Sequence, residues 1–331
     1  MKRNRIIFAF LVGLTLALST AARAQAQTTR PQTAKPNTVV QETDDEVKVA
    51  VYRRFVDNRV PNPSLAYEAA KEYVRRYVKE DDEYTRYLKT WIDAYEKDDR
   101  EQRLLQAIYG DKNFAVGYGL ARQVLGDNPD NLKALIALGY GGYLANTTAK
   151  NETFNADSVK YAQRAIQLLE SGRAADVWEP FKNKDDALAS LHYAVGFMEL
   201  KARPEETISR LLRVVQIESD LKKTASTYFL LAVAYEKGPY QKLSADYSKR
   251  FANQPETPES KALLENINKM IDKIIDAYAR AVALTGNDPQ HQASKAEWTK
   301  HVTELYKFRH EGSDAGLNEF IAGVLSKPLP Q

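Results

Sequence analysis

The sequence has 331 residues, of which 44% are hydrophobic and 27% are charged, and its formal net charge is +3. These proportions are typical of soluble globular proteins and disfavour a disordered chain, a polytopic membrane protein and a collagen-like rod. The sequence contains no cysteine, which excludes disulfides, iron–sulfur clusters, zinc sites built on thiolates and a cysteine nucleophile.

Residues 1–26 have the pattern of a secretory signal peptide. A basic start is followed by an apolar run over residues 6–18, and the small residues after it predict cleavage after Ala24 or Ala26. The run is shorter than the roughly 20 residues of a spanning helix. We therefore expect removal of this segment rather than anchoring, and no stable membrane insertion afterwards. Residues 27–44 are rich in Thr, Gln and Pro and are predicted to be a flexible linker.

Removal of the signal peptide changes the charge of the chain. Its basic residues are Lys2, Arg3, Arg5 and Arg23, and it contains no acidic residue. The remaining chain therefore carries −1 instead of +3. A near-neutral chain has no general basic surface, so we expect no nucleic-acid partner. Export without disulfides is typical of the bacterial periplasm or of a secreted bacterial protein, which is the predicted localisation.

Helical periodicity extends from about residue 45 to residue 325, and it predicts roughly a dozen helices joined by short turns. The clearest apolar stripe is Leu264, Ile267, Ile271, Ile274, Tyr278 and Val282. Helix starts are predicted at Thr257–Pro258 and at a capping box over Ser294–Glu297. Helix ends are predicted at Gly110, Gly126, Gly172, Gly238 and Gly286.

Part of the chain is internally similar. Three segments align with one another, namely residues 138–143, 195–200 and 231–235. A second amphipathic helix follows each of them, over residues 158–168, 207–215 and 243–251. The centre of each first helix has a small residue, Gly139, Gly196 or Ala232. Small residues allow the two helices of a hairpin to approach closely, so the pattern predicts stacked helical hairpins.

These residues resemble the tetratricopeptide repeat family, whose unit of about 34 residues has Leu-Gly and an aromatic residue in its first helix and Ala in its second. Leu138-Gly139 matches the first feature, Ala165 the second, and Pro129 the proline at a repeat boundary. The resemblance covers residues 112–171 and 186–240. It implies an all-α fold, an α-solenoid of antiparallel helix-turn-helix repeats, which binds protein segments in a concave groove.

The resemblance suggests a division of the chain. Residues 45–111 are predicted to be an N-terminal helical region, and residues 112–290 the repeats, with an insertion near residues 172–186. Residues 291–331 are predicted to be capping helices and a tail that cover the exposed edge of the last repeat.

No sequence motif indicates catalysis. The chain lacks a Gly-x-Ser-x-Gly elbow, a phosphate-binding loop and a His-Glu-x-x-His motif, so we predict that it is not an enzyme and has no cofactor or metal. Glu297, His301 and Glu304 share one face of a helix and are the best candidates for a cation site. One imidazole among acidic residues is more typical of a solvated face.

A second aromatic set, with basic residues between its members, lies on predicted helices of the N-terminal region: Tyr73, Tyr77, Tyr84, Tyr87, Trp91 and Tyr95. Aromatic and basic residues together can bind bases. Acidic residues at positions 80–83 lie among them, so packing between helices is the favoured interpretation.

The candidate binding residues are Tyr140, Tyr193, Phe197 and Phe229, which the repeat register places on the concave side of first helices. The alternative is that they belong to the core between helices. We predict a non-enzymatic scaffold of the bacterial cell envelope that binds a protein or peptide partner through these residues. The alternative function is a structural module that self-associates.

Overall fold

The computed structural model describes residues 43–286 and 289–330. The predicted signal peptide and nearly all of the predicted linker lie outside the described residues. The chain divides into two compact units, Met1–Ala50 and Val51–Gln331. In the described part of the first unit, Thr43 and Glu46 form a reciprocal cap at the start of a helix. The Glu46 amide donates to Thr43 Oγ1, and the Thr43 amide donates to Glu46 Oε2 at 2.9 Å.

The described residues form thirteen α-helices and contain no strand, which confirms the all-α prediction. The helices are α1 (Asp44–Asn58), α2 (Pro63–Tyr77), α3 (Glu83–Leu105), α4 (Phe114–Asp127), α5 (Leu132–Ala149), α6 (Asn155–Glu170), α7 (Lys184–Glu199), α8 (Pro204–Gln216), α9 (Ala225–Tyr235), α10 (Gln241–Phe251), α11 (Pro258–Thr285), α12 (Gln292–Arg309) and α13 (Leu317–Gly323). Neighbouring helices pack in pairs. Within the described ranges, no helix is both long and apolar enough to cross a membrane.

Helices α5 to α8 form two successive hairpins that share one hydrophobic core. A Cβ on Gly139 of α5 would lie 2.7 Å from the Cα of Ala162 on α6, so only glycine permits this approach. A Cβ on Gly196 of α7 would have Leu211 Cγ as its nearest neighbour, at the ordinary distance of 3.5 Å. The first hairpin therefore requires glycine at the point where its two helices touch, whereas the second hairpin has room for a methyl group at the corresponding position.

The third aligned segment has a different partner. Helix α9 continues through a π-helical turn, Glu236–Tyr240, directly into α10. The predicted helix end at Gly238 is wrong, because Gly238 is buried inside this turn, where a Cβ would meet Pro204 Cβ at 3.3 Å. Helix α10 has no buried residue, and the long α11 packs against α9 instead. The predicted second helix exists, but it is not the core partner of α9.

The predicted helix starts have different outcomes. Thr257 caps α11, accepting from the Ser260 amide at 3.1 Å, while the Ser260 hydroxyl accepts from the Thr257 amide at 2.9 Å. The capping box at Ser294 is wrong, because α12 begins two residues earlier, at Gln292. Ser294 therefore lies inside the first turn of the helix.

The C-terminal tail is held by a buried ion pair on α11. Arg280 Nε donates to Asp276 Oδ1 at 2.6 Å, and both side chains are about 95% buried. The same guanidinium donates to the carbonyl oxygens of Lys327 and Pro328, each at 2.9 Å. Leu329 then packs against the core cluster that contains Tyr228.

The second aromatic set packs between α1, α2 and α3. Tyr73 and Tyr77 are buried, and the Trp91 ring lies 5.0 Å from Phe55 and 5.4 Å from Tyr95. These contacts support packing between helices.

Candidate functional site

Three of the four predicted binding residues meet around a residue that the sequence analysis did not single out. The Tyr143 ring centroid lies 5.2 Å from Tyr140, 5.6 Å from Tyr193 and 5.3 Å from Phe197. Tyr140 and Tyr143 belong to α5, and Tyr193 and Phe197 to α7. We call these four residues the aromatic row. Tyr143 stands three positions after Tyr140 on the same helix, so helical spacing is a sequence signal by which it could have been found.

The residues of the aromatic row differ in exposure. Tyr193 is buried, at 6% exposure, whereas Tyr140, Tyr143 and Phe197 are half-buried. Burial raises the pKa of Tyr193 to about 12. Its hydroxyl interacts with Ser226 at the start of α9, which connects the row to the third aligned segment. The row therefore has one buried ring and three rings that are partly accessible.

Phe229, the fourth predicted residue, belongs to another cluster. Its ring stacks on Trp298 of α12 at 4.8 Å and lies 6.2 Å from Tyr278 of α11. Phe229 is half-buried. The sequence pattern of α9 gave no indication that α12 would cover this position.

A pocket of about 630 Å³ lies at the α5 end of the row. It is lined by Gln102, Leu105, Gln106, Tyr109, Gly110, Lys133, Ile136, Ala175, Val177, Trp178, Glu179, Pro180 and Phe181. We call it the Trp178 pocket. Residues of the predicted insertion form one wall, and Phe181 joins the pocket to the row because its ring lies 5.3 Å from Tyr140. The insertion therefore packs against the first part of the predicted groove.

A second pocket, of about 510 Å³, lies between α9, α11 and α12. We call it the His301 pocket; it is lined by Phe229, Val233, Glu236, Lys237, Tyr278, Glu297, Trp298, Lys300, His301 and Glu304. Glu236 accepts from His301 Nε2 at 2.5 Å and from the Tyr278 hydroxyl at 3.2 Å. Burial, together with this carboxylate, raises the pKa of Tyr278.

The three residues considered for a cation site, Glu297, His301 and Glu304, all line the His301 pocket. In the described part of the chain, no group of three or more His, Asp and Glu side chains is arranged to hold a metal ion. His301 already has a hydrogen-bond partner in Glu236, which lies in the π-helical turn after α9. Its ring also packs edge-on against Tyr278, with the two ring centroids 4.9 Å apart.

The row and the two pockets contain aromatic rings, and both pockets also contain polar side chains. Half-buried tyrosines present an apolar body and a hydroxyl, which suits contact with a chain that has both apolar side chains and peptide groups. The volumes of both pockets lie in the range of about 300–1,000 Å³ that is common for ligand sites.

Comparison with protein-family models, curated proteins and solved structures finds no match to this chain. The case for a function therefore rests on the residues of the row and the pockets.

Proposed function

We propose that this protein is a non-enzymatic scaffold that binds a protein or peptide partner in the bacterial cell envelope. In this proposal, α5 to α9 are tetratricopeptide-like repeats of an α-solenoid, and the aromatic row lies on the partner-binding side of their first helices. The observation that carries the proposal is the row itself, with three half-buried rings on successive first helices.

The exposure of the rings supports binding over a purely structural role. Core aromatics are normally covered, and this chain covers Tyr73 and Tyr77 in that way. Tyr140, Tyr143 and Phe197 keep part of their surface accessible although they lie next to one another. Clustered tyrosine and phenylalanine rings provide large contact area at a low cost in conformational entropy, and such residues supply much of the affinity at protein interfaces.

The experiment is crosslinking and capture from the envelope fraction of the organism. The full chain is compared with a Tyr140→Ala/Phe197→Ala variant that leaves the buried Tyr193 in place, and with Phe308→Ala as a control. Phe308 is 66% exposed on α12, outside the row and both pockets. We expect a partner that the parent and the control capture and that the row variant loses. Equal capture by all three proteins, with each still folded by circular dichroism, would contradict the proposal.

Self-association is the second candidate, and exposed apolar residues at the N-terminal helices support it. Val60 is 81% exposed, Leu65 52% and Val56 38%. Apolar side chains that are exposed to this degree and lie close together in the sequence are candidates for a contact surface. Sedimentation velocity over a hundredfold concentration range tests this alternative. A mass that rises with concentration in the parent, but not in Val60→Lys/Leu65→Lys, would favour self-association, and a constant monomer mass would exclude it.

A further inference from the structure

We infer that the Trp178 pocket anchors the partner by accepting one large, uncharged apolar side chain, such as Leu, Phe or Trp, of a peptide segment. This inference rests on the proposed function, because it gives the chemistry of one end of the same binding surface.

The walls of the pocket come from three parts of the chain. The end of α3 and the π-helical turn after it, Gln106–Gly110, form one side, and the start of α5 contributes Ile136. The connection between α6 and α7 forms the opposite side through Val177 and Trp178. Eight lining residues are aliphatic, aromatic or proline: Leu105, Tyr109, Ile136, Ala175, Val177, Trp178, Pro180 and Phe181. Such a lining offers apolar contacts to a large side chain, and the pocket has room for the peptide groups next to that side chain as well.

The charges of the pocket disfavour an anionic ligand. Its two charged lining residues, Lys133 and Glu179, have opposite signs. Lys133 also has a partner, since its Nζ lies 3.7 Å from Glu101 Oε1. An anionic side chain entering this space would lose water and would meet a lysine that already has a carboxylate partner, which is costly. The remaining polar lining groups, Gln102 and Gln106, carry amides of the kind that bind peptide N–H and C=O groups.

The connection that forms the outer wall is ordered by local hydrogen bonds. The Phe181 amide donates to the Trp178 carbonyl at 2.7 Å, and the Lys182 amide donates to Asp186 Oδ2 at 3.0 Å. Although it is held in this way, the connection leaves Val177 57% exposed at the rim of the pocket. Connections of this length without regular structure are uncommon in compact domains and are usually functional.

Continuity with the aromatic row makes a peptide the expected occupant. The Phe181 ring centroid lies 6.3 Å from that of Tyr109 in the pocket and 5.3 Å from that of Tyr140 in the row, so one ring borders both. An extended chain anchored in the pocket would continue over Tyr140 and Tyr143. Trp178, Gln102 and Gln106 are also side chains that can contact a carbohydrate, so the experiment includes a carbohydrate as the competing probe.

The experiment uses peptides of twelve residues, selected on the full chain from an unbiased phage library and measured by fluorescence anisotropy. The pocket variant is Val177→Asp, and the matched control is Val116→Asp. Val116 is also a surface valine, 45% exposed on α4, and it lies outside both pockets and the row. Tyr140→Ala/Phe197→Ala reports on the row independently. Chitotriose is the carbohydrate probe, read by tryptophan emission in the parent and in Trp178→Phe.

We expect the selected peptides to share a large apolar residue, and alanine at that position to weaken binding about tenfold or more, as is common for buried anchors. Val177→Asp should weaken binding to a similar degree, while Val116→Asp leaves it unchanged. Peptides that bind the parent and Val177→Asp equally, but lose affinity for the row variant, would overturn the pocket assignment and leave the proposed function intact. The absence of any selected peptide would count against both. An emission change with chitotriose that depends on Trp178, without peptide binding, would also overturn the inference.

Discussion

The α5–α8 region and the α9–α13 region begin from similar sequence segments and close their cores differently. In α5–α8, two hairpins share one core, the first of them closes through a glycine contact, and His192 and Glu199 of α7 are buried without forming a buried ion pair with each other. In α9–α13, the helix that follows α9 buries nothing, and α11 covers α9 with the help of a buried ion pair, Asp276–Arg280.

The difference shows that a repeat pattern in a first helix does not determine which helix packs against it. The stripe of α8 includes Leu211 and Val214, which are completely buried. The corresponding residues of α10, Leu243 and Tyr247, are only half-buried, and charged residues surround them. Helix α11 supplies the missing apolar surface through residues such as Ile271 and Ile274. Burial of apolar area therefore decided the pairing.

The largest expected effect concerns the ion pair of the second region. Asp276→Ala should lower the free energy of unfolding by about 3–5 kcal/mol, because it leaves a buried guanidinium without its carboxylate. Chemical denaturation measures this change. The double variant Asp276→Leu/Arg280→Met removes both charges and should recover most of the loss. A double variant as unstable as Asp276→Ala would mean that the loss of the contacts of Arg280 with the tail costs as much as the uncompensated charge.

The next comparison concerns the two second helices. Leu211→Ala on α8 should destabilise the protein by about 3 kcal/mol, because the side chain is fully buried and its removal leaves a cavity. Leu243→Ala on α10 should cost about 1 kcal/mol or less, since its side chain is partly solvated. Both values come from urea unfolding of the two variants. Equal losses would show that α10 contributes to the core in solution as much as α8 does.

His192 gives the first region a pH dependence with a sign that can be tested. Burial lowers its pKa from 6.5 to about 4, and Arg210 and Arg213 of α8 act in the same direction, while Glu170 of α6 lies 3.8 Å away. On acidification, the unfolded chain therefore binds a proton at this histidine near pH 6.5, whereas the folded chain binds it only near pH 4. The contribution of His192 to stability falls as the pH decreases through this window and is constant above it. At pH 4.5 the loss should be about 2 kcal/mol.

The control for this prediction is His192→Leu, which keeps an apolar side chain at the site. Both ring nitrogens of His192 are buried without a hydrogen-bond partner in the described structure, so the substitution should change little at pH 7. The free energy of unfolding is measured against pH for both proteins, and the difference between the two curves is due to His192. Carboxyls such as Glu199, whose pKa is raised by burial, contribute to both curves and cancel. Parallel profiles between pH 7 and pH 4.5 would contradict the assignment.

The smallest effects compare two glycines. Gly139→Ala should destabilise by about 2 kcal/mol, because its Cβ would overlap the backbone of Ala162 and push the hairpin apart. Gly196→Ala has room and should stabilise by about 0.5–1 kcal/mol through higher helix propensity. Thermal unfolding of the two variants distinguishes them. Stabilisation by both would mean that α5 and α6 separate more easily than this contact implies.

Local signals were sufficient for much of the fold. Periodicity predicted an all-helical chain, and the Thr257–Pro258 start of α11 is confirmed by its capping hydrogen bonds. The prediction of a helix end at Gly238 was wrong because glycine occurs both at helix ends and where two helices approach closely. The contact with Pro204 of α8 shows that Gly238 is of the second kind, and that contact is visible only in the structure. Contacts between distant segments are not encoded in local spacing.

The candidate site shows the same limit. Helical spacing placed Tyr140 on one face, and Tyr143 follows from the same spacing. The contact of Phe229 with Trp298 and the position of Phe181 beside Tyr140 depend on how α12 and the insertion fold back, which no local pattern indicates. The sequence therefore identified rings of the row but neither pocket.

Site-specific photocrosslinking tests the central claim, that the partner binds along the aromatic row, most directly. The full chain would carry p-benzoylphenylalanine in place of Tyr140, of Phe197 or, as the control, of the exposed Phe308, and would be irradiated with the envelope fraction of its organism. We predict one crosslinked partner common to positions 140 and 197 and absent at position 308. The same products at all three positions, or crosslinks at position 308 alone, would contradict the claim.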